Sequence, residues 1–198
     1  MAKKIGISIK GADIPNYEVT EVPYVVKPLL MEREFLLLHG PEQCGKTTLS
    51  WNMAVAIANG LDFFGMETRK AKVLFLECDV SNIFTQIIRM KKMNLSGVDF
   101  HFFGGPIDII KPTEDIKFTL NDLQREHEPE VVIISSLRKL QATMDITDPN
   151  LIVHVETRLR LIFPNASFVL IHHDVKQRLD MMGNEIGRQR ESFAGSKA

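Results

Sequence analysis

The residues with the clearest chemical purpose are Gly40, Pro41, Glu42, Gln43, Cys44, Gly45, Lys46, Thr47 and Thr48. Glycine, four residues, then glycine-lysine-threonine is the spacing of a loop that wraps a nucleotide's phosphates. Backbone N–H groups must close around an anion there, so glycines stand where a side chain would collide. Lys46 is expected to reach the β- and γ-phosphates, and the Thr47 hydroxyl to ligate Mg²⁺. An apolar run at 35–38 leads into the loop, and a helix predicted over 46–59 points its N-terminus at the anion. That strand–loop–helix setting separates the motif from a chance glycine-rich turn.

Two further stretches carry chemistry. "KVLFLECDVS" (72–81) is an apolar run ending in Glu77 and Asp79. The carboxyl end of a strand in an open α/β sheet faces the ligand crevice, so Glu77 is the expected base for an attacking water. The alternative is a cap for a helix starting near Asn82. "EVVIISSLRKL" (130–140) ends its apolar run in Ser135 and Ser136, where a nucleotide hydrolase normally places an aspartate for Mg²⁺. A serine hydroxyl can still hydrogen-bond a metal-bound water. It brings no charge, and charge-assisted hydrogen bonds are roughly twice as strong as neutral ones. ATP binding with weaker Mg²⁺ retention and slower hydrolysis is therefore expected, with Asp79 as the other acid near the metal.

The elements that must position these residues alternate along the chain. Apolar strands are predicted at 35–38, 73–76, 131–134 and 168–171, with an additional one at 100–103. Helices are predicted at 46–59, roughly 81–93, 113–127 and 149–162. The third opens with Pro112, Thr113, Glu114 and Asp115, an acidic first turn suited to a helix N-terminus. Continuous apolar strands alternating with helices imply an α/β fold whose mostly parallel sheet is covered on both faces. Residues 1–33, with alternating Ile5, Ile7 and Ile9, are expected to be an extension packed on a core domain at 34–198.

With 198 residues, 44% hydrophobic and 25% charged, the chain suits one globular domain with a full core. A net charge of −1 gives no global footprint for nucleic acid or an anionic membrane. No apolar run is long enough to cross a bilayer, and no apolar core follows the two N-terminal lysines as in a signal peptide. Cys44 and Cys78 lack metal-ligand spacing, so a reducing cytoplasm is the simplest home. His101, His127 and His154 stand isolated in sequence, and Arg69-Lys70 and Lys91-Lys92 read as solvated faces.

Taken in order, "LLLHGPEQCGKTT", "GLDFFGMETRKAKVLFLECD", "VVIISSLRKL" and "FVLIHHDVKQ…MMG…RESFAGSKA" resemble the RepA-type, RecA-like P-loop ATPases. That family includes hexameric replicative helicases of plasmids and ATPases of phages and mobile elements. The resemblance covers about residues 22–198. It implies a RecA-like core, ATP with Mg²⁺, and a homo-oligomeric ring, frequently a hexamer, with sites shared between neighbours. Gly40, Gly45, Lys46 and Thr47 match its phosphate loop. Glu77 matches its catalytic glutamate, and His172-His173 match a histidine pair that senses the γ-phosphate. Two positions depart from it: Ser135 replaces the Mg²⁺-holding aspartate, and Ala194 replaces an arginine that reaches into the neighbour's site. Arg188, Arg190 and Lys197 are the candidates to act there in trans, and the family adds further strands beyond the point matching Ala198.

Segments 137–149 and 174–191 correspond to the family's single-strand-binding loops. The second carries Lys176, Arg178, Arg188 and Arg190 with Gly183 and Gly187, a basic and mobile presentation that suits backbone phosphates. It has no aromatic residue before Phe193 for base stacking, and a merely solvated loop is the alternative. The implied function is a ring-forming ATPase motor, helicase-like, acting on single-stranded DNA in replication or recombination. A nucleotide-dependent regulator or loader with weak turnover is the rival, favoured by Ser135. A metabolic kinase would need an acceptor-binding insert that the sequence does not display.

Overall fold

The apolar runs form strands of one parallel sheet, the inner ones buried on both faces and the two at its edges partly covered. The computed structural model describes residues 10–16, 23–41, 43–93, 95, 97–140 and 151–173, with main chain alone at Arg138 and His173. Its main sheet holds β3 (Phe35–Gly40), β4 (Val73–Glu77), β5 (Phe100–Gly104), β6 (Val131–Ser135) and β7 (Ser167–His173). The spatial order is β3-β7-β6-β4-β5, and every pairing in it is parallel. Side chains alternate between faces along each strand. Val73, Phe75, Val131, Ile133 and Val169 enter one buried cluster, while Leu74, Leu76, Val132, Ile134, Phe168 and Leu170 enter the other.

The first cluster is covered by α1 (Lys46–Asn59), whose Trp51 stacks on Phe75 with ring centroids 4.2 Å apart. The second is covered by α3 (Glu114–His127) and α5 (Leu151–Ile162) through Leu120, Leu123, Leu151, Val155 and Leu159. The layered architecture matches the α/β expectation, helix 46–59 included. Thr113 caps α3 by accepting from the Ile116 N–H. The second predicted helix starts later than expected. Asp79 accepts from the Ser81 N–H at 3.2 Å and caps a 3₁₀ turn, Val80–Asn82, ahead of α2 (Ile83–Met90). A single-turn helix, α4 (Leu137–Leu140), opens the segment expected to be loop.

Before the main sheet, β1 (Tyr24–Val26) and β2 (Leu30–Met31) form an antiparallel pair. Val25, Val26 and Leu30 are fully buried in the cluster that holds Trp51. Arg69 ties this region down: its Nε lies 2.9 Å from Glu32 and its Nη1 2.8 Å from Glu130. Arg69 is thus an ion-pair hub, correcting its reading as a plain solvated face. His101 and His127 are likewise not isolated, because β5 and the end of α3 bring their rings together at 3.6 Å. Burial first, then the facing His127, hold the His101 imidazole below its usual value.

The Trp51–Phe75 stack joins the helix after the loop to the strand that ends in Glu77. Phe75 is wholly buried, so Phe75→Ala should cost about 3–5 kcal/mol of unfolding free energy, read from denaturant midpoints. A loss below about 1 kcal/mol would mean the stack is dispensable.

Candidate functional site

The phosphate loop is held by backbone geometry. Gly40 (φ 152°) and Gly45 (φ 93°) occupy the positive-φ region that L side chains avoid, at the two ends of the turn. A Cβ on Gly40 would also press to 3.4 Å on Cys44 Sγ. Gly45 is the N-cap of α1, so the turn delivers the helix's first N–H groups to the loop. Lys46 is 7% exposed, and its ammonium donates to the carbonyls of Gly40 (2.7 Å) and Pro41 (2.6 Å) and lies 3.6 Å from Cys44 Sγ. A phosphate would compete with these carbonyls for the same charge. Thr47 is half-buried in the first turn, and Thr48, Gln43, Cys44 and Pro41 are exposed. Glu42 lies outside the described residues.

Glu77 closes β4 with 1% of its surface exposed. Its Oε1 accepts from the Asp79 N–H at 3.1 Å and its Oε2 from Gln86 Nε2 at 3.0 Å. Burial raises its carboxyl above the ordinary range. Hydrogen bonds from the Asp79 N–H, Ser135 and Gln86 oppose that, and the Asp79 charge adds to the rise. The helix cap weighed as an alternative for Glu77 belongs to Asp79, whose Oδ1 is taken up by the Ser81 N–H and hydroxyl. Ser135 is the register partner of Glu77 on β6 and is 5% exposed. The two residues meet at the carboxyl edge of the sheet.

The same register brings His172 beside His39, and the His173 backbone beside Gly40. β7 therefore carries the histidine pair to the edge that holds the phosphate loop. Lys176, Arg178, Arg188, Arg190 and Lys197 lie outside the described residues, as does Ala194. Beside the loop opens a cleft of about 620 Å³, walled by Leu37, Leu38 and His39 of β3, Cys44 and Gly45, Lys46, Thr48, Leu49 and Asn52 of α1, and Phe64. That volume falls within the usual small-molecule range of roughly 300–1,000 Å³. Phe64 is 75% exposed, an aromatic ring on the cleft wall that sequence reasoning passed over.

Sequence reasoning also missed Gln86, buried on α2 and bonded to both Glu77 and the Trp51 indole. A glutamine inside an amphipathic helix carries no motif, so only the fold reveals it. Among the described residues no group of three or more His, Cys, Asp or Glu is placed to hold a metal ion by itself. The oxygen donors that the sequence offered are Thr47, in the first turn of α1, and Ser135, beside Glu77. Such a set fits Mg²⁺ that arrives with a nucleotide and keeps phosphate and water as most of its ligands. Among the same residues no helix is long and apolar enough to cross a membrane.

Comparison with known proteins bears on this arrangement. No curated protein sequence matches the chain significantly. A KaiC-like protein of the hyperthermophilic archaeon Pyrococcus horikoshii OT3 has a similar structure, with a TM-score of 0.51 at 10% sequence identity. The likeness covers 80% of this chain and 71% of that one, and it shows a shared fold. The model of a family described as "AAA domain" matches residues 11–178. The chain belongs to this AAA domain family, as a P-loop ATPase domain with a RecA-like fold.

Proposed function

We propose that the chain hydrolyses ATP with Mg²⁺ and couples hydrolysis to work on single-stranded nucleic acid, as one subunit of a homo-oligomeric ring. The observation that carries the hydrolytic part is Glu77, a buried carboxylate fixed at both oxygens on the sheet edge that also carries the phosphate loop. In this reading Lys46 binds the β- and γ-phosphates and Glu77 takes a proton from the water that attacks the γ-phosphorus. Burial, by raising the Glu77 carboxyl, makes its anion a stronger base for that step. Mg²⁺, held on the chain by the Thr47 hydroxyl and, through a bound water, by Ser135, would neutralise phosphate charge. His172, level with His39 in the sheet, would sense the γ-phosphate, and the cleft beside α1 would receive the base, with Phe64 against it.

The nucleic-acid role rests on the sequence resemblance and on Lys176 and Arg178 after β7. The ring rests on the sequence resemblance, with Arg188, Arg190 and Lys197 as the candidates to act on a neighbour's site. Residues 1–33 serve in this scheme as an extension of an ATPase domain at 34–198. One observation favours a second reading, a regulator or loader that turns over slowly. The side chain beside Glu77 is a neutral, buried serine, so the metal gains no second carboxylate from β6.

Phosphate release measured with and without single-stranded DNA tests the motor reading. Stimulation by the DNA is expected, and an unchanged low rate favours the regulator. Nucleotide binding has its own probe in Cys44, which is exposed, whereas Cys78 is buried and its thiol is pushed up by that burial. A thiol reagent should mark Cys44 in the native protein. Mg-ATP at ~10 times its Kd should slow that labelling ~10-fold, and should not slow it in Lys46→Ala. Equal labelling with and without ATP in the wild type would remove the nucleotide from this loop.

Ser135→Asp tests the metal side. It sets a second carboxylate beside Glu77, and like charges at that spacing disfavour ionisation. The variant should melt lower without metal, while its ATP affinity should gain on the order of tenfold, roughly 1.4 kcal/mol, as Mg²⁺ is titrated in. Affinity that ignores Mg²⁺ in the variant would show that position 135 does not reach the metal's water shell.

A further inference from the structure

We propose that Gln86 is the positioning residue that aims the Glu77 carboxylate, and that Trp51 anchors it. The inference rests on the ATPase reading above. An amide side chain has one accepting and one donating end, while an indole N–H can only donate. The Trp51 Nε1–H reaches Gln86 Oε1 at 2.7 Å, and Arg89 Nη1 reaches the same oxygen at 3.3 Å. With its oxygen so committed, the amide has a single orientation, and its Nε2 must face Glu77 Oε2, 3.0 Å away. The Asp79 N–H holds the other oxygen. The plane of the carboxylate is thereby set from two sides, by the turn after β4 and by α2.

The anchor itself is immobile. Trp51 has no exposed surface, stacks on Phe75 at 4.2 Å, and has Phe100 and Phe102 at 5.6 and 6.0 Å. It belongs to the helix whose first turn carries Lys46 and Thr47. Gln86 therefore braces the phosphate-gripping helix to the strand that presents the base, and fixes where Glu77 points relative to the bound phosphates. A glutamine that merely filled a buried polar gap would affect folding and leave turnover in the folded protein alone.

Trp51 is the sole tryptophan of the chain, so its emission reports this contact without a label. Gln86→Met keeps the length of the side chain and removes its hydrogen bonds to Trp51, Arg89 and Glu77. The variant should lose at least ~10-fold in kcat, the scale of a misplaced catalytic group, with ATP affinity within about twofold of wild type. Its Trp51 emission should move to shorter wavelength, because the indole N–H has lost its acceptor. Glu77→Gln keeps an oxygen to accept from Gln86, so it should lose turnover yet keep wild-type emission. Trp51→Phe keeps an aromatic ring on Phe75 but leaves the amide oxygen only its longer bond from Arg89, so it should lower kcat in the same sense. Gln86→Met added to Trp51→Phe should then cost little more, as expected for residues acting through one contact.

A folded Gln86→Met with wild-type kcat overturns the proposal, and so does one whose kcat and affinity fall together. If Gln86→Met does not fold, Trp51→Phe decides, and wild-type kcat there overturns it. A wild-type protein that binds ATP and releases no phosphate overturns the ATPase reading itself and this inference with it. That result is distinct from a wild type that turns over and is matched by its Gln86 variant.

Discussion

A carboxylate taken out of water at the end of a central strand must be met by donors, and the arrangement around Glu77 follows from that requirement. One donor comes from the chain's own next turn, where the Asp79 N–H folds back. Another comes from α2, which buries Gln86 although most of its surface faces outward. The third comes from parallel register, which sets Ser135 of β6 level with Glu77 of β4. An aspartate at 135 would present a second negative charge in that same dry corner. The serine is thus more than a missing acid: it is a neutral neighbour that a buried anion tolerates, and its hydroxyl helps to keep Glu77 ionised.

The opposite charge is treated in the same way. Lys46 is nearly as buried, and its ammonium is satisfied by two carbonyls of its own loop. Both charged groups therefore stand in a prepared frame, in which a bound phosphate would have to take the place of the carbonyls that Lys46 now meets. Positive-φ glycines let the loop make its turn, and the Trp51–Phe75 stack packs α1 against β4.

Much of this was legible in the residues. The loop could be read because its chemistry needs particular types at fixed spacing, and the strands because two-sided burial writes continuous apolar runs. Strand ends were read short: β4 runs on to Glu77 and β7 to His173, since their last residues are polar and end the apolar run. The start of α2 was misjudged because Asp79 interrupts with a 3₁₀ turn, and α4 is too brief to show a period. Gln86, Phe64 and the His101–His127 pair were invisible for a common reason. Each gains its neighbours from strands and helices distant in sequence, and no local pattern encodes that proximity.

The order of strands has a consequence in time. Among the described residues β3, which leads into the phosphate loop, pairs within the main sheet with β7 alone. The same junction is sealed by the Arg33 N–H donating to Ser167 Oγ across 134 positions of chain. Parallel contacts between such distant segments form late, because the closure entropy of the long intervening loop must be met before they contribute. During synthesis, β3 waits for its sheet neighbour until Ser167–His173 has been made. The grip on nucleotide is encoded early and assembled late, so a growing chain acquires it only near the end of its folding.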